Sequence, residues 1–187
     1  MPHNMSCAVT VVALLLHIVP VEARADSLQP RIQIAERGIY RADTVQRGSP
    51  NEKGIIVNTV QSARLIANTT SILAGVGVRF GLRYTVVGPL DYNPELKLVI
   101  KFPPGGLRDP ATRHILFQSE FSMTVAPDTT NYWEYHFEND WELLGGLWTF
   151  EFWHKARKVA EQRFCVREAR TVSKPEFMTS CGSGLVR

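Results

Sequence analysis

An all-β fold, a single antiparallel β-sandwich of about eight strands, is what the sequence predicts. Three observations carry the expectation. Apolar residues alternate with polar ones at a period of two from Val76 to Val87, from Leu96 to Phe102, from Trp133 to Phe137 and from Leu147 to Trp153. Turn-forming Gly, Pro, Asn and Asp punctuate the chain at short intervals between these runs. Beyond the first 25 residues no long window has a helical apolar period, although Asp140 to Leu144 fits a short helical turn. A closed β-barrel is the alternative architecture.

The chain opens on a segment that belongs to targeting rather than to the fold. Ala8 to Val19 is an apolar run too short to span a bilayer, and it leads to Ala23-Arg24-Ala25, a small-residue cleavage signal. Residues 1–25 are therefore expected to be a removed signal peptide, which places the mature chain in the periplasm or outside the cell. No transmembrane helix is expected in the mature chain, whose length suits one domain with a sizeable core. The formal net charge of +3 is mild and spread along the sequence, which argues against a nucleic-acid partner.

The strands follow in order within a domain expected over residues 26–166. Ile32 to Tyr40 is the first, with Gly38 a candidate bulge, and the polar stretch from Arg41 to Gly54 is expected to be a loop. Ile55 to Val60 and Arg64 to Ala67 form a second strand region. Val76, Val78, Phe80, Leu82, Tyr84 and Val86 then line one face while Arg79, Arg83 and Thr85 line the other. After a turn near Leu90, Leu96, Leu98, Ile100 and Phe102 alternate with Lys97, Val99 and Lys101, so the two strands are expected to pair as a hairpin. Pro103-Pro104-Gly105-Gly106 stops the second. Ile115, Phe117, Phe121, Met123 and Val125 share a phase that Ser119 interrupts, the mark of an edge or a bend. Trp133, Tyr135 and Phe137 form the next inward set.

Trp148, Phe150 and Phe152 lead into the basic turn from His154 to Lys158, and Ala160, Gln162, Phe164 and Val166 return. This aromatic hairpin needs a second layer, because alone it would be marginal in water. The architecture is immunoglobulin-like, without the Cys-Trp-Cys pattern of antibody domains. The expected core is Phe80, Tyr84, Leu98, Ile100, Phe117, Phe137, Trp148, Phe150 and Phe164. Residues 167–187 are polar and are expected to form a disordered tail. Cys165 and Cys181 remain in the mature chain, where an oxidising compartment would let them pair or leave one in a mobile tail.

Several of these stretches resemble one known family. Gly38-Ile39-Tyr40, Arg79-Phe80-Gly81 with Tyr84 and Gly88, Phe102-Pro103-Pro104-Gly105, Glu142-Leu143 before Gly146-Leu147-Trp148-Thr149-Phe150, and Glu161-Gln162-Arg163-Phe164-Cys165-Val166 are similar to a bacterial exported domain of unknown function. Gly145 stands where that family would place proline. The resemblance implies a periplasmic or secreted β-sandwich and supplies no catalytic residues.

The chemistry-bearing residues give little support to an enzyme. His114, His136 and His154 have no G-x-S-x-G elbow to serve, so a hydrolase is a minor reading. Glu134, His136 and Glu138 share a strand face but span about 13 Å, too far to share one ion. No catalytic residue, metal site or cofactor is therefore expected. Trp153 and Trp141 are the tryptophans out of phase with the apolar sets, which makes them the candidates for stacking a sugar in a carbohydrate-binding module. Arg79, Arg83, Lys97 and Lys101 would share one outward face if their strands pair, and such a patch suits an anionic envelope component or another envelope protein. The favoured expectation is an exported, non-enzymatic binding or envelope-associated accessory domain.

Overall fold

The computed structural model describes residues 30–46, 59–88, 95–168 and Cys181. The expected signal peptide, the stretch 47–58, the turn near Leu90 and most of the expected tail lie outside the described residues. In chain order the strands are β1 (Arg31–Gln46), β2 (Thr59–Asn68), β3 (Ser71–Leu73), β4 (Arg79–Val87), β5 (Glu95–Lys101), β6 (Leu107–Arg108), β7 (Ile115–Leu116), β8 (Gln118–Thr124), β9 (Thr130–His136), β10 (Gly146–His154) and β11 (Arg157–Arg167). A 3-10 turn, Asp140–Glu142, falls where the sequence predicts a helical turn. Glu142 fixes it from within by accepting the backbone N–H groups of Glu138 and Asn139 at 2.6 and 2.9 Å.

Two sheets form, one in the order β2-β1-β4-β9 and the other in the order β3-β11-β10-β5-β8. Neither closes on itself, so the architecture is the sandwich rather than the barrel. The small β6-β7 ladder sits apart from both. One pairing, β11 with β3, is parallel, which departs from the expected all-antiparallel pattern.

Alternation dictates the core. Phe80, Leu82, Tyr84 and Val86 from β4 are buried together with Leu96, Leu98 and Ile100 from β5 and Trp148, Phe150, Phe152, Phe164 and Val166 from β10 and β11. Phe80 is the hub of this aromatic core, with ring centroids at 5.2 to 5.8 Å from Phe164, Phe137, Trp148 and Phe150. Each fully buried ring contributes about 1.5–3 kcal/mol by leaving water. Trp148 is buried at no polar cost because its Nε1–H donates to the Leu144 carbonyl at 2.9 Å.

The structure corrects three expectations. The hairpin predicted from β4 and β5 does not form: β4 lies between β1 and β9, and β5 lies between β10 and β8. Period-two alternation fixes which face of a strand is buried but leaves its partner open. Here the two apolar faces meet across the sandwich, and each strand gains neighbours on both sides. Phe117 is not core but 61% exposed, because the chain bends there between β7 and β8 and drops it out of phase. Finally, β1 runs on to Gln46 through residues expected to be loop; two of its register shifts flank Gly38, at Ile34/Glu36 and Ile39/Tyr40, and two more fall at Ala42/Thr44 and Thr44/Val45.

Candidate functional site

Arg79 and Arg83 project from β4 onto the outer face of the four-stranded sheet. Gly38 and Gly81 lie opposite each other there, and both are required by close approach. A Cβ on Gly81 would sit 2.0 Å from the Trp133 carbonyl oxygen, and one on Gly38, at φ +147, would sit 1.9 Å from that of Ala67. Over this bare stretch Tyr40 of β1 and Tyr132 of β9 bring their rings to 4.9 Å although β4 runs between their strands.

The two arginines are held inside this layer. Arg79 is ion-paired with Glu134, which also accepts the Tyr132 hydroxyl. Arg83 bonds Glu36 at 3.1 Å, donates to the Ala63 carbonyl and lies 5.9 Å from the centre of the Tyr40 ring. Burial, then the nearby Glu36 carboxylate, pushes the Tyr40 phenol up to about 12. Burial and the Glu134 carboxylate push the Tyr132 phenol further up. Tyr40 itself is only 3% exposed, and its hydroxyl has no hydrogen-bond partner among the described residues.

Lys97 and Lys101 project from β5 onto the opposite side of the molecule, the outer face of the five-stranded sheet. The four cations predicted to form one patch are therefore split between two faces, because β4 and β5 belong to different sheets. On the second face sequence reasoning missed the central residue, Glu151, which lies beside Val99 in register. Glu151 accepts Lys101 at 3.0 Å, Lys158 at 3.3 Å and the Trp153 indole at 3.1 Å. Burial pulls its pKa upward, but these three donors outweigh it and hold the carboxylate below its usual range.

Glu161, directly across from Glu151 on β11, is bridged by Lys158 and by Arg163 at 2.7 Å. Lys97 pairs with Glu120 at 3.2 Å. Like charges at Glu151 and Glu161 would repel if left alone, so Lys158, which reaches both, is part of what holds β10 to β11. The signal for this network lay in the sequence, since Glu151 shares the outward phase of Trp153. The β11 half was obscured by a register shift between Phe152 and Trp153.

The face is layered by charge. The side chains of Lys101, Lys158 and Arg163 are 47%, 39% and 62% exposed, whereas those of Glu151 and Glu161 are 6% and 27% exposed. Ammonium and guanidinium groups thus reach solvent above sunken carboxylates. Trp153 is half-buried on this face, while Trp141, in the 3-10 turn, is half-buried against the core, so the two tryptophans form no shared platform. Cys165, in the outward phase of β11, is bonded to Cys181 with the Cα atoms 5.6 Å apart, which ties the chain beyond β11 back to the sheet. Among the described residues no group of three or more His, Cys, Asp or Glu side chains is arranged to hold a metal ion, and no helix is long and apolar enough to cross a membrane.

Two open sheets around an aromatic core define the class as an immunoglobulin-like β-sandwich. Five solved chains match, among them the crystal structure of an immunoglobulin-like protein from Pseudomonas aeruginosa. It is 22% identical, with a TM-score of 0.52, and the match covers 76% of this chain and 100% of that one. The chain belongs to the family DUF3859, a domain of unknown function, whose model matches residues 28–166. No curated protein matches the sequence.

Proposed function

We propose that the mature chain is an exported, non-enzymatic binding domain of the periplasm or the extracellular space, and that its ligand face is the outer surface of the five-stranded sheet. One observation carries this reading: the exposed cations Lys97, Lys101, Lys158 and Arg163 stand above carboxylates that are more deeply placed. Such a surface attracts an anionic envelope component bearing phosphate groups, because the ligand's charges meet the ammonium tips first. Each cation near an anionic surface is worth about 1 kcal/mol, screened by salt. Export is supported by the apolar leader with its small-residue cleavage signal and by a Cys165–Cys181 bond typical of oxidising compartments. The non-catalytic reading is supported by carboxylates already engaged: Glu134 with Arg79 and Tyr132, and Glu151 with Lys101, Lys158 and Trp153.

Vesicles of phosphatidylcholine with and without phosphatidylglycerol provide the test, read by co-sedimentation at low and high salt. Binding should require the anionic lipid and fade with salt. It should weaken at least about tenfold on reversing both Lys97 and Arg163 to Glu. Reversal of Arg83, on the other face, is the control and should leave binding unchanged. Binding indifferent to salt, or lost equally on both reversals, would reject the assignment of this face.

A further inference from the structure

We infer that the anionic ligand of the five-stranded sheet's outer face is a phosphorylated sugar, its ring laid on Trp153 and its phosphate held by Lys101 and Lys158. The inference rests on the cationic face proposed above and adds the chemical class of what that face binds. Charge alone would select little there. Lys97, Lys101, Lys158 and Arg163 are each already matched to Glu120, Glu151 or Glu161, so an incoming anion meets a nearly balanced surface. Selectivity has to come from an uncharged group, and strand register supplies one. Trp153 stands between Lys97 on β5 and Lys158 on β11. With neighbouring strands about 4.8 Å apart, the two lysines start about 10 Å apart with the indole between them.

The ring is held in a particular direction. Its Nε1–H donates at 3.1 Å to Glu151 Oε2, on the carboxylate two residues back on the same strand and the same face. A side chain tied that way lies along the sheet instead of standing away from it. A tryptophan at a bilayer surface uses its N–H at the wet headgroup level. Here that group is spent on a carboxylate whose side chain is only 6% exposed, so Trp153 offers a ligand its ring face. That face is electron-rich and attracts the C–H groups of a polyol ring.

The same carboxylate places the phosphate beside the ring. The ammonium groups of Lys101 and Lys158 share its other oxygen, at 3.0 and 3.3 Å, and are therefore no further apart than the sum of those distances. Both side chains reach solvent, so one phosphate can accept charge-assisted hydrogen bonds from the two together. The outward neighbours of Trp153 are Lys97, Lys158, Glu151 and, beyond Lys97, Ser122. Their donors and acceptors suit the hydroxyls of a sugar. None of them is aromatic, so a planar base would find no second ring to enclose it.

Calorimetric titration of the chain with glucose 1-phosphate, glycerol 1-phosphate and glucose tests a free ligand. Glucose 1-phosphate should bind about tenfold more tightly than glycerol 1-phosphate, and glucose more weakly than either. A membrane-borne ligand is tested with vesicles in which phosphatidylinositol, whose headgroup is likewise a phosphorylated polyol ring, replaces phosphatidylglycerol. A preference in the first assay assigns a soluble source, and a preference in the second alone assigns a lipid. In whichever assay shows it, Trp153→Leu should abolish the preference and Trp153→Tyr should keep most of it. Lys101→Gln should lower both affinities and leave their ratio. The ratio is read within each variant, so a shared loss of folded protein does not alter it. A wild-type chain that binds phosphatidylglycerol vesicles but shows no preference in either assay would overturn the sugar and leave the cationic face standing. A preference that survives in Trp153→Leu would overturn the placement on that ring. A chain that ignores every anion, vesicles included, would overturn the face and this inference with it.

Discussion

Tyr40 and Tyr132 meet edge to face, with ring centroids 4.9 Å apart and planes inclined at 67°, across a strand to which neither belongs. They converge where β4 offers only Gly81. An outward sheet face is normally solvated, but here it supports a second, polar and aromatic layer that also contains Arg79, Arg83 and Glu134. The two tyrosines differ in one respect that has energetic consequences: the Tyr132 hydroxyl donates to Glu134, whereas that of Tyr40 is buried without a partner among the described residues.

Removing each hydroxyl should therefore have opposite effects. Tyr132→Phe should destabilise by about 1.5–3 kcal/mol, the range for a hydrogen bond to a charged group, while Tyr40→Phe should be neutral or stabilising by up to about 1 kcal/mol. Urea unfolding at neutral pH measures both. The raised Tyr40 phenol adds an alkaline signature. Its stabilising part is complete below the ordinary value of 10.0 and is lost as pH rises toward about 12, and Tyr40→Phe should remove that part of the decline.

Truncation of the core should separate Trp148 from Phe117, two aromatic residues that alternation alone treats alike. Trp148→Ala should cost about 3–5 kcal/mol, because it empties a packed site and strips the Leu144 carbonyl of its donor. Phe117→Ala should stay within about 0.5 kcal/mol, as for an exposed surface residue. Thermal midpoints of the two variants provide the comparison.

Glu151 should make the fold sensitive to acid. Its folded-state pKa lies below the reference of 4.5, so the stability it supplies is complete above that value and is lost as pH falls through and below it. Glu161 is held low by Lys158 and adds in the same direction. Glu151→Gln should cost about 1–2 kcal/mol at neutral pH, discounted for the exposure of both lysines. It should also flatten the decline in stability as pH falls through and below 4.5. A Gln variant with an unchanged acid profile would show that the charge ladder contributes nothing to holding β10 to β11.

The disulfide has a direct chemical check. Alkylation of the chain, denatured without reductant, should label neither Cys165 nor Cys181, and prior reduction should expose both. Loss of the bond should cost at most about 3 kcal/mol, the chain-entropy figure for a loop of this length.

Much of the fold was legible because period-two alternation is a local property of each strand. Phe80, Tyr84, Leu98, Trp148, Phe150 and Phe164 could be assigned to the core without knowing which strands are neighbours. Pairing is not local. Arg79 and Lys97 stand on strands consecutive in sequence, with a turn signal between them, and nothing in that pattern distinguishes a hairpin from a crossing between sheets. The cationic patch failed for that reason alone. Glu151 was recognisable as outward-facing, but its burial depends on Lys101 and Lys158 arriving from strands on either side. Phe117 kept the apolar phase of its neighbours and lost it only through a backbone bend.

The parallel pairing of β3 with β11 joins Ser71 to Cys165, and β11 also supplies Phe164 and Val166 to the core. The last strand of the domain therefore completes both a ladder begun in the first half of the chain and the packing around Phe80. Contacts so distant in sequence form late, because loop-closure entropy opposes them until the whole chain is present. A nascent chain lacking β11 has an incomplete core and an unpaired β3, and little to hold it folded. Such a chain reaches its final shape only after its C-terminal strand emerges, so its folding is gated by the last strand to be made.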